Sequence, residues 1–387
     1  MQNMINQKLI DEEYDYLKDV VYINCSLISM PPRRVRETWK EYIEGYASTF
    51  ATVFPVYFDD KVKEARKNIS KLLRVDPEEI AFTHSVSDSM AILAQSYPFE
   101  DGDNVIITNE EHASNGIPWL ALEKRGISVK VVHSTNGVVE AQAIIDAMDE
   151  HTKVVSVAAA FFCSGYRMDL KTLGDACKKN GTCLCVDGTQ TVGRYALYPR
   201  ELGVDYYAGS GHKGLLGTKS IGFSYCSKEL LKILQPSTGS LQSVPNAGRP
   251  CKLEHYADIE WIDTAAKLES GNYPYALIEA ISMGTSFLNE LGIEEVEKRI
   301  METEAKLIEL LKDIPLKTNI APEGYRSGIL FVFFPEGADP AKVKEILLKH
   351  KVMAVVRYDY IRFSIHVYNS PEQMQRVADA LKEVAAL

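Results

Sequence analysis

The sequence predicts an α/β fold, with a large domain on a mostly parallel sheet and a smaller α+β domain after it. Three observations predict this. Short apolar runs alternate with helical patterns from about residue 20 to 270, the signature of strand–helix units on a parallel sheet. A chain of 387 residues is too long for one small core and suits two unequal domains. After about residue 275 the alternation stops, and two long helical patterns lead into a short mixture of strands and helices.

The elements follow in order. Apolar runs at 104–108 (NVIIT), 128–133 (SVKVVH), 153–158 (KVVSVA), 182–187 (TCLCVD), 204–208 (VDYYA) and 220–226 (SIGFSYC) read as strands. Helical periods fall between them at 87–96, 117–124, 139–148 and 170–180, the last opened by Asp169 as N-cap. The charged stretch around 62–74 mixes acids and bases and reads as solvated helix faces. Beyond it, helices are expected at 275–291 and 293–312, a strand at 328–334 and a helix at 339–349. Strands at 352–357 and 360–366 and a closing helix at 371–385 complete the chain. We expect an N-terminal segment over 1–20 that packs with the small domain, a large domain over 21–274 and a small domain over 275–387.

Composition narrows the function. A charged fraction of 25% and an apolar fraction of 46% are ordinary for a soluble globular protein. The net charge of -10, with no basic face, argues against a nucleic-acid partner. No apolar run reaches the roughly 18 residues that span a membrane. Residues 1–13 are polar and acidic, unlike a secretory signal. The seven cysteines are scattered; Cys183 and Cys185 share one face of a strand, and no metal-ligand spacing occurs. Reduced thiols and a cytoplasmic location are expected. No G-x-G-x-x-G or G-x-x-x-x-G-K-[ST] follows a strand, which disfavours a nucleotide site.

The chemistry concentrates at Lys213, in SGHKG, downstream of Asp187-Gly188-Thr189-Gln190. A lysine on a polar loop beyond an aspartate that ends an apolar strand is what pyridoxal phosphate (PLP) chemistry needs. The amine condenses with the cofactor aldehyde. The aspartate keeps the pyridine nitrogen protonated, so the ring draws electrons from the substrate α-carbon. Parallel sheets bind ligands at the carboxyl ends of their strands, where Asp187 lies. Ser85, Val86 and Ser87 open a helix, and free N–H groups there suit a phosphate dianion or serve as a plain N-cap. Ser210 and His212 offer further phosphate ligands. Gln190 can reach a phenolic oxygen. His112, at the end of the NVIIT strand, either stacks on the ring or bonds to backbone. Arg362, in IRFSIHVYNSPEQ, suits a substrate carboxylate; Arg357 competes for that role, and either could be a structural ion pair.

These segments resemble the class V aminotransferase superfamily. That is the PLP fold-type I group of cysteine desulfurases, selenocysteine lyases and isopenicillin N epimerase-like proteins. VDGTQ with SGHKG is similar to its cofactor region, EEHASNGIPW to its ring-stacking histidine segment, and IRFSIHVYNSPEQ to its arginine segment. The resemblance covers nearly the whole chain. It implies a large domain with a mostly parallel sheet of the seven-stranded type and a homodimer with active sites at the interface. By position it implies Lys213 as the Schiff-base lysine, Asp187 as the pyridinium partner and Gln190 at the phenolic oxygen. His112 would stack on the ring, Ser87, Ser210 and His212 would hold phosphate, and Arg362 the substrate carboxylate. Asn272, in Glu269-Ser270-Gly271-Asn272, stands where the family's Glu-x-Gly-Thr reaches the partner subunit's phosphate.

The chain also departs from that pattern. Desulfurases carry a nucleophilic cysteine on a loop before the arginine, but only four residues separate Arg357 from Arg362, and no cysteine follows Cys251. Phe161, Phe162 and Cys163 stand where the family has asparagines. We expect the phenylalanines to make the pocket more apolar, and Cys163 to be a pocket wall rather than a nucleophile. The expected reaction is β-elimination or amino transfer on a small amino acid. A racemase or epimerase is the alternative, with His84, Tyr358 and Tyr360 as candidates for the second acid/base. A desulfurase or a non-catalytic binding protein is less expected.

Overall fold

The apolar runs of the first two-thirds of the chain form one seven-stranded sheet in a computed structural model. The structure describes residues 5–48, 50–245 and 260–387, without the side chains of 48–58. Residues 1–4 of the expected N-terminal segment and Cys251 lie outside the described residues. In chain order the elements are α1 (Gln7–Glu13), β1 (Val21–Tyr22), α2 (Arg33–Ser48), α3 (Phe50–Leu73), β2 (Ile80–Thr83), α4 (Val86–Ser96), β3 (Asn104–Thr108) and α5 (Ala113–Leu120). Then come β4 (Ser128–Val132), α6 (Ala141–Ala147), β5 (Thr152–Ala158), α7 (Leu170–Asn180), β6 (Cys183–Asp187), β7 (Tyr206–Ser210), β8 (Gly222–Cys226) and α8 (Lys228–Ile233). The rest are α9 (Tyr275–Leu291), α10 (Ile293–Leu311), β9 (Lys317–Asn319), β10 (Ile329–Phe333), α11 (Pro340–Lys349), β11 (Val352–Met353), β12 (Val355–Arg357), β13 (Tyr360–Ser364) and α12 (Met374–Val384).

The large sheet runs β2-β8-β7-β6-β5-β3-β4. Its pairs are parallel from β7 to β4, while β8 is antiparallel to both neighbours. Helices cover both faces, so its central strands are buried throughout and read as continuous apolar runs. The alternation of side chains sorts two cores. Val155, Val157, Leu184, Val186 and Tyr207 join the core with α3, α7 and α9. Val105, Ile107, Val154, Cys183 and Cys185 join the core with Met90, Leu93 and Trp119 of α4 and α5. Cys183 and Cys185 therefore do share a face.

Several boundaries shift by a few residues, the expected strand at 352–357 divides into β11 and β12, which join different sheets, and three further shifts have a visible cause. β7 begins at Tyr206 rather than 204, because the Asp205 carboxylate takes the Leu184 N–H at 3.0 Å and delays the ladder. The strand consequently runs to Ser210 and delivers the Lys213 turn just past the sheet edge. β8 begins at Gly222, since Ser220 is left-handed at φ 64°. α5 begins at Ala113 rather than 117: the His112 imidazole caps it by accepting the Ser114 N–H at 3.1 Å. Strands β1, β2 and β9 went unforeseen, being two to four residues long.

The second sheet is antiparallel, in the order β12-β13-β10-β9. From the N-terminal region, β1 pairs with β11, and Tyr14 sets its ring 5.0 Å from Tyr368. Residues 24–29 continue from β1 as a strap between the two sheets. The Ser26 N–H donates to Ser364 Oγ at 2.9 Å, and the Ser29 N–H donates to the His212 carbonyl at 2.8 Å. Among the described residues no helix is long and apolar enough to cross a membrane.

Candidate active site

One cavity of about 290 Å³ lies at the carboxyl ends of β3, β5, β6 and β7. That is the lower end of the range for small-molecule sites. Its lining includes Ser85, Val86, His112, Asp187, Gln190, Ser210, His212 and Lys213, so distant segments of sequence converge there.

At one end stands the N-terminus of α4. Ser85 is its N-cap, with Oγ accepting the Asp88 N–H at 3.1 Å. The N-cap and phosphate readings are thus compatible, since the first-turn N–H groups are left over by the helix itself. Ser210 ends β7 with a buried Oγ that has no partner among the described residues. The His212 imidazole is held down to about 4 by burial and then by Lys213 and Lys219, so it is neutral at pH 7. Ser87 is a correction: its exposed hydroxyl donates to Ser114 Oγ at 2.8 Å instead of lining the cavity.

Lys213 occupies the turn after β7. The turn is pressed against its surroundings; a Cβ at Gly214 would fall 1.9 Å from the Val192 carbonyl oxygen. His366 Nδ1 accepts the Val367 N–H, so Nε2 donates to the Gly214 carbonyl at 2.9 Å. Burial lowers the Lys213 ammonium, Asp187 opposes that shift, and Arg362 adds to it. Asp187 is buried, with one carboxylate oxygen accepting the Thr189 N–H at 2.9 Å. Gln190 Nε2 donates to the Ser26 carbonyl at 3.4 Å, while Gln190 Oε1 and Thr189 Oγ1 are buried without partners among the described residues. His112 is held low by burial and by Lys213; its Nδ1 acceptor role leaves the proton on Nε2.

Arg362 is buried on β13, opposite Phe331 and Val355. Its Nη1 donates to the Phe162 carbonyl at 3.4 Å, and its Nε has no partner among the described residues. Burial lowers its guanidinium too. Neither arginine is a lining residue of the cavity: Arg362 lies behind Phe162, and the competing Arg357 is exposed at the end of β12. Asn272 is exposed and also lies outside this cavity. Tyr358 is exposed and Tyr360 packs on Phe331, whereas His84 lines the cavity. Of the two phenylalanines only Phe162 lines it; Phe161 is fully buried and stacks on Tyr166. Cys163 is behind the wall rather than in it. Its thiol donates to Glu110 Oε2 at 2.7 Å, and burial together with that bond pushes it up, against a nucleophilic role. Leu27, Glu110, Ser114 and Lys219 also line the cavity. Glu110 stands two residues before His112 and Leu27 follows β1, but neither position is marked as part of the wall by local sequence.

The residues fit a phosphorylated pyridine. Thr189 Oγ1, Gln190 Oε1 and Ser210 Oγ are orphaned polar atoms on cavity-lining residues. Leaving such atoms unpaired is costly, and a polar ligand would satisfy them. A family model described as aminotransferase class-V matches residues 22–377. A probable cysteine desulfurase of Methanothermobacter thermautotrophicus is 29% identical, covering 96% of each chain. An uncharacterized aminotransferase, YcbU of Bacillus subtilis, is 26% identical over 84% of each. Among solved structures, an apo cysteine desulfurase from Thermococcus onnurineus NA1 superposes with TM-score 0.87 at 22% identity, covering 100% of both chains. A C-DES variant with glycine covalently linked to its PLP cofactor gives 0.85 at 18%, covering 96% of this chain and 99% of that one. The chain belongs to the aminotransferase class-V family and is a PLP-dependent enzyme.

Proposed function

We propose that the enzyme acts on a small α-amino acid, removing the α-proton and then expelling a β-substituent or transferring the amino group. The observation that carries this reading is that Lys213 and Asp187 line one cavity as electrostatic neighbours, with buried Arg362 behind that lining, bonded to the carbonyl of lining residue Phe162 and close enough to act on Lys213. When bound, PLP supplies an electron sink for the substrate α-carbon. Lys213 holds the cofactor and then moves the proton at that carbon, a role served by an ammonium lowered through burial. Asp187 would keep a pyridine nitrogen protonated, Gln190 would meet a phenolic oxygen, and His112 would cover the ring. Ser85, Val86, Ser210 and His212 hold the phosphate. Arg362 orients the substrate carboxylate, and its unpartnered Nε leaves it a free donor. Phe162 excludes water from one wall.

The relative at 29% identity is named a probable cysteine desulfurase. Here Arg357 pairs with Tyr360, so β12 and β13 are joined by a two-residue turn, Tyr358-Asp359. That turn carries no thiol, which supports elimination or amino transfer over sulfur handover from a loop cysteine. A racemase remains the second reading because His84 lines the cavity. The enzyme is proposed to work as a cytoplasmic homodimer, with Asn272 serving the partner's site.

The test is near-ultraviolet and visible absorbance of the purified enzyme with PLP, before and after a panel of amino acids. A cofactor band that shifts with one amino acid supports the reading. Assays for keto acid, inverted stereochemistry or released β-group then choose the reaction. A spectrum unmoved by every amino acid would overturn it.

A further inference from the structure

Resting on that reading, we propose that Glu110 selects the substrate: the preferred amino acid carries a cationic or amine-bearing side chain. Glu110 lines the cavity just after β3. Its carboxylate is fixed from behind, accepting the Cys163 thiol at Oε2 (2.7 Å) and the Ser134 hydroxyl at Oε1. Both oxygens act as acceptors, the role of an ionised carboxylate, and each retains a further lone-pair direction.

The cavity's charges divide by end. Lys219 and Ser220 line the phosphate end. The neighbouring Gly222 is packed so closely on Ser85 that a Cβ there would lie 3.2 Å from the Ser85 carbonyl carbon. Glu110 belongs to the other end. Cys163, which holds it, is an electrostatic neighbour of Arg362, and the adjoining Phe162 carbonyl accepts from Arg362 Nη1. A substrate whose α-carboxylate meets Arg362 therefore finds a carboxylate on the same side of the site, next to the apolar Phe162 and Leu27. Asp187, the other acid of the lining, faces Lys213. The lining also carries three histidines, His84 beside the α4 N-terminus, His112 two residues after Glu110, and His212 beside Lys213. A distal ammonium gains an ion pair in a half-enclosed site, an anionic side chain meets repulsion, and a neutral one gains neither.

The test is the affinity of PLP-loaded enzyme for 2,3-diaminopropionate, ornithine, alanine, serine and aspartate, read from the spectral shift without relying on turnover. The cationic members should bind about tenfold or more tightly than alanine, and aspartate most weakly. Glu110→Gln should erase the difference while leaving alanine binding within about twofold. Cys163→Ser keeps a donor to Glu110 and should preserve the preference. Equal affinity for cationic and neutral members in the wild type, or a preference that survives Glu110→Gln, overturns the inference and leaves the broader reading standing. No spectral response to any amino acid overturns both.

Discussion

Arg194 → Met is the sharpest test of how this site is held. Arg194 is fully buried, 1% exposed, and follows the Gln190 turn. Its guanidinium donates to the Gln190 carbonyl at 2.6 Å, the Ser327 carbonyl at 2.8 Å and the Ile365 carbonyl at 2.8 and 3.1 Å. It thereby joins the cofactor turn to the segment before β10 and the residue after β13. Methionine fills similar volume without donors. Ile365 keeps a second donor, since the Cys25 thiol reaches it at 3.2 Å. The Gln190 and Ser327 carbonyls would be left buried and unpaired, at about 1–3 kcal/mol each. We expect a loss of about 4 kcal/mol, a large part of the roughly 5–15 kcal/mol that folded domains possess. Urea unfolding of the PLP-loaded enzyme measures it, and a spectral titration reports cofactor affinity, which should also fall because Gln190 loses its anchor. A loss below about 1 kcal/mol with unchanged cofactor affinity would refute the reasoning.

Other outcomes are equally open to measurement. Lys213→Ala should abolish the visible band and activity while far-ultraviolet circular dichroism stays unchanged; turnover at the wild-type rate would remove Lys213 from its role. Arg362→Ala should weaken amino-acid binding about 30- to 100-fold, the worth of a charged hydrogen bond, whereas exposed Arg357→Ala should stay within about twofold. A reversed order would make Arg357 the carboxylate ligand. Glu304, on α10, is pushed up to about 7 by burial, against the pull of the Gly328 backbone and Arg194. The folded state holds its proton longer than an open chain does at its ordinary 4.5. Its contribution to stability is complete below about 4.5 and lost as pH rises through about 7. Urea midpoints across that window should therefore slope downward, and Glu304→Gln should flatten the slope; an unchanged slope contradicts the assignment.

The fold was legible where burial on both faces leaves an uninterrupted apolar run, as in β3 and β6. It was less legible where a side chain resets a boundary, as Asp205 does for β7 and His112 for α5. Both act through one side-chain bond to a backbone N–H, which hydropathy does not register. Lys213, Asp187 and Gln190 were legible because short turns after adjacent strands hold them. Ser87 lies outside the cavity lining, its exposed hydroxyl bonded to Ser114 across 27 residues of sequence, a contact no local pattern marks. Glu110 and Leu27 escaped because their place in the wall depends on Cys163 and on the strap, contacts made across long stretches of chain.

That strap also has a temporal consequence. Cys25 donates to Ile365 across a separation of 340 residues, and Ser26 is held by Ser364. At roughly 5–20 residues per second of synthesis, its partners emerge on the order of 20–70 s after it does. Until then the strap has its contacts to His212 and Gln190 but not those to β13 and the residue after it. A nascent chain that already displays Lys213 therefore lacks the strap's bonds to Ser364 and Ile365.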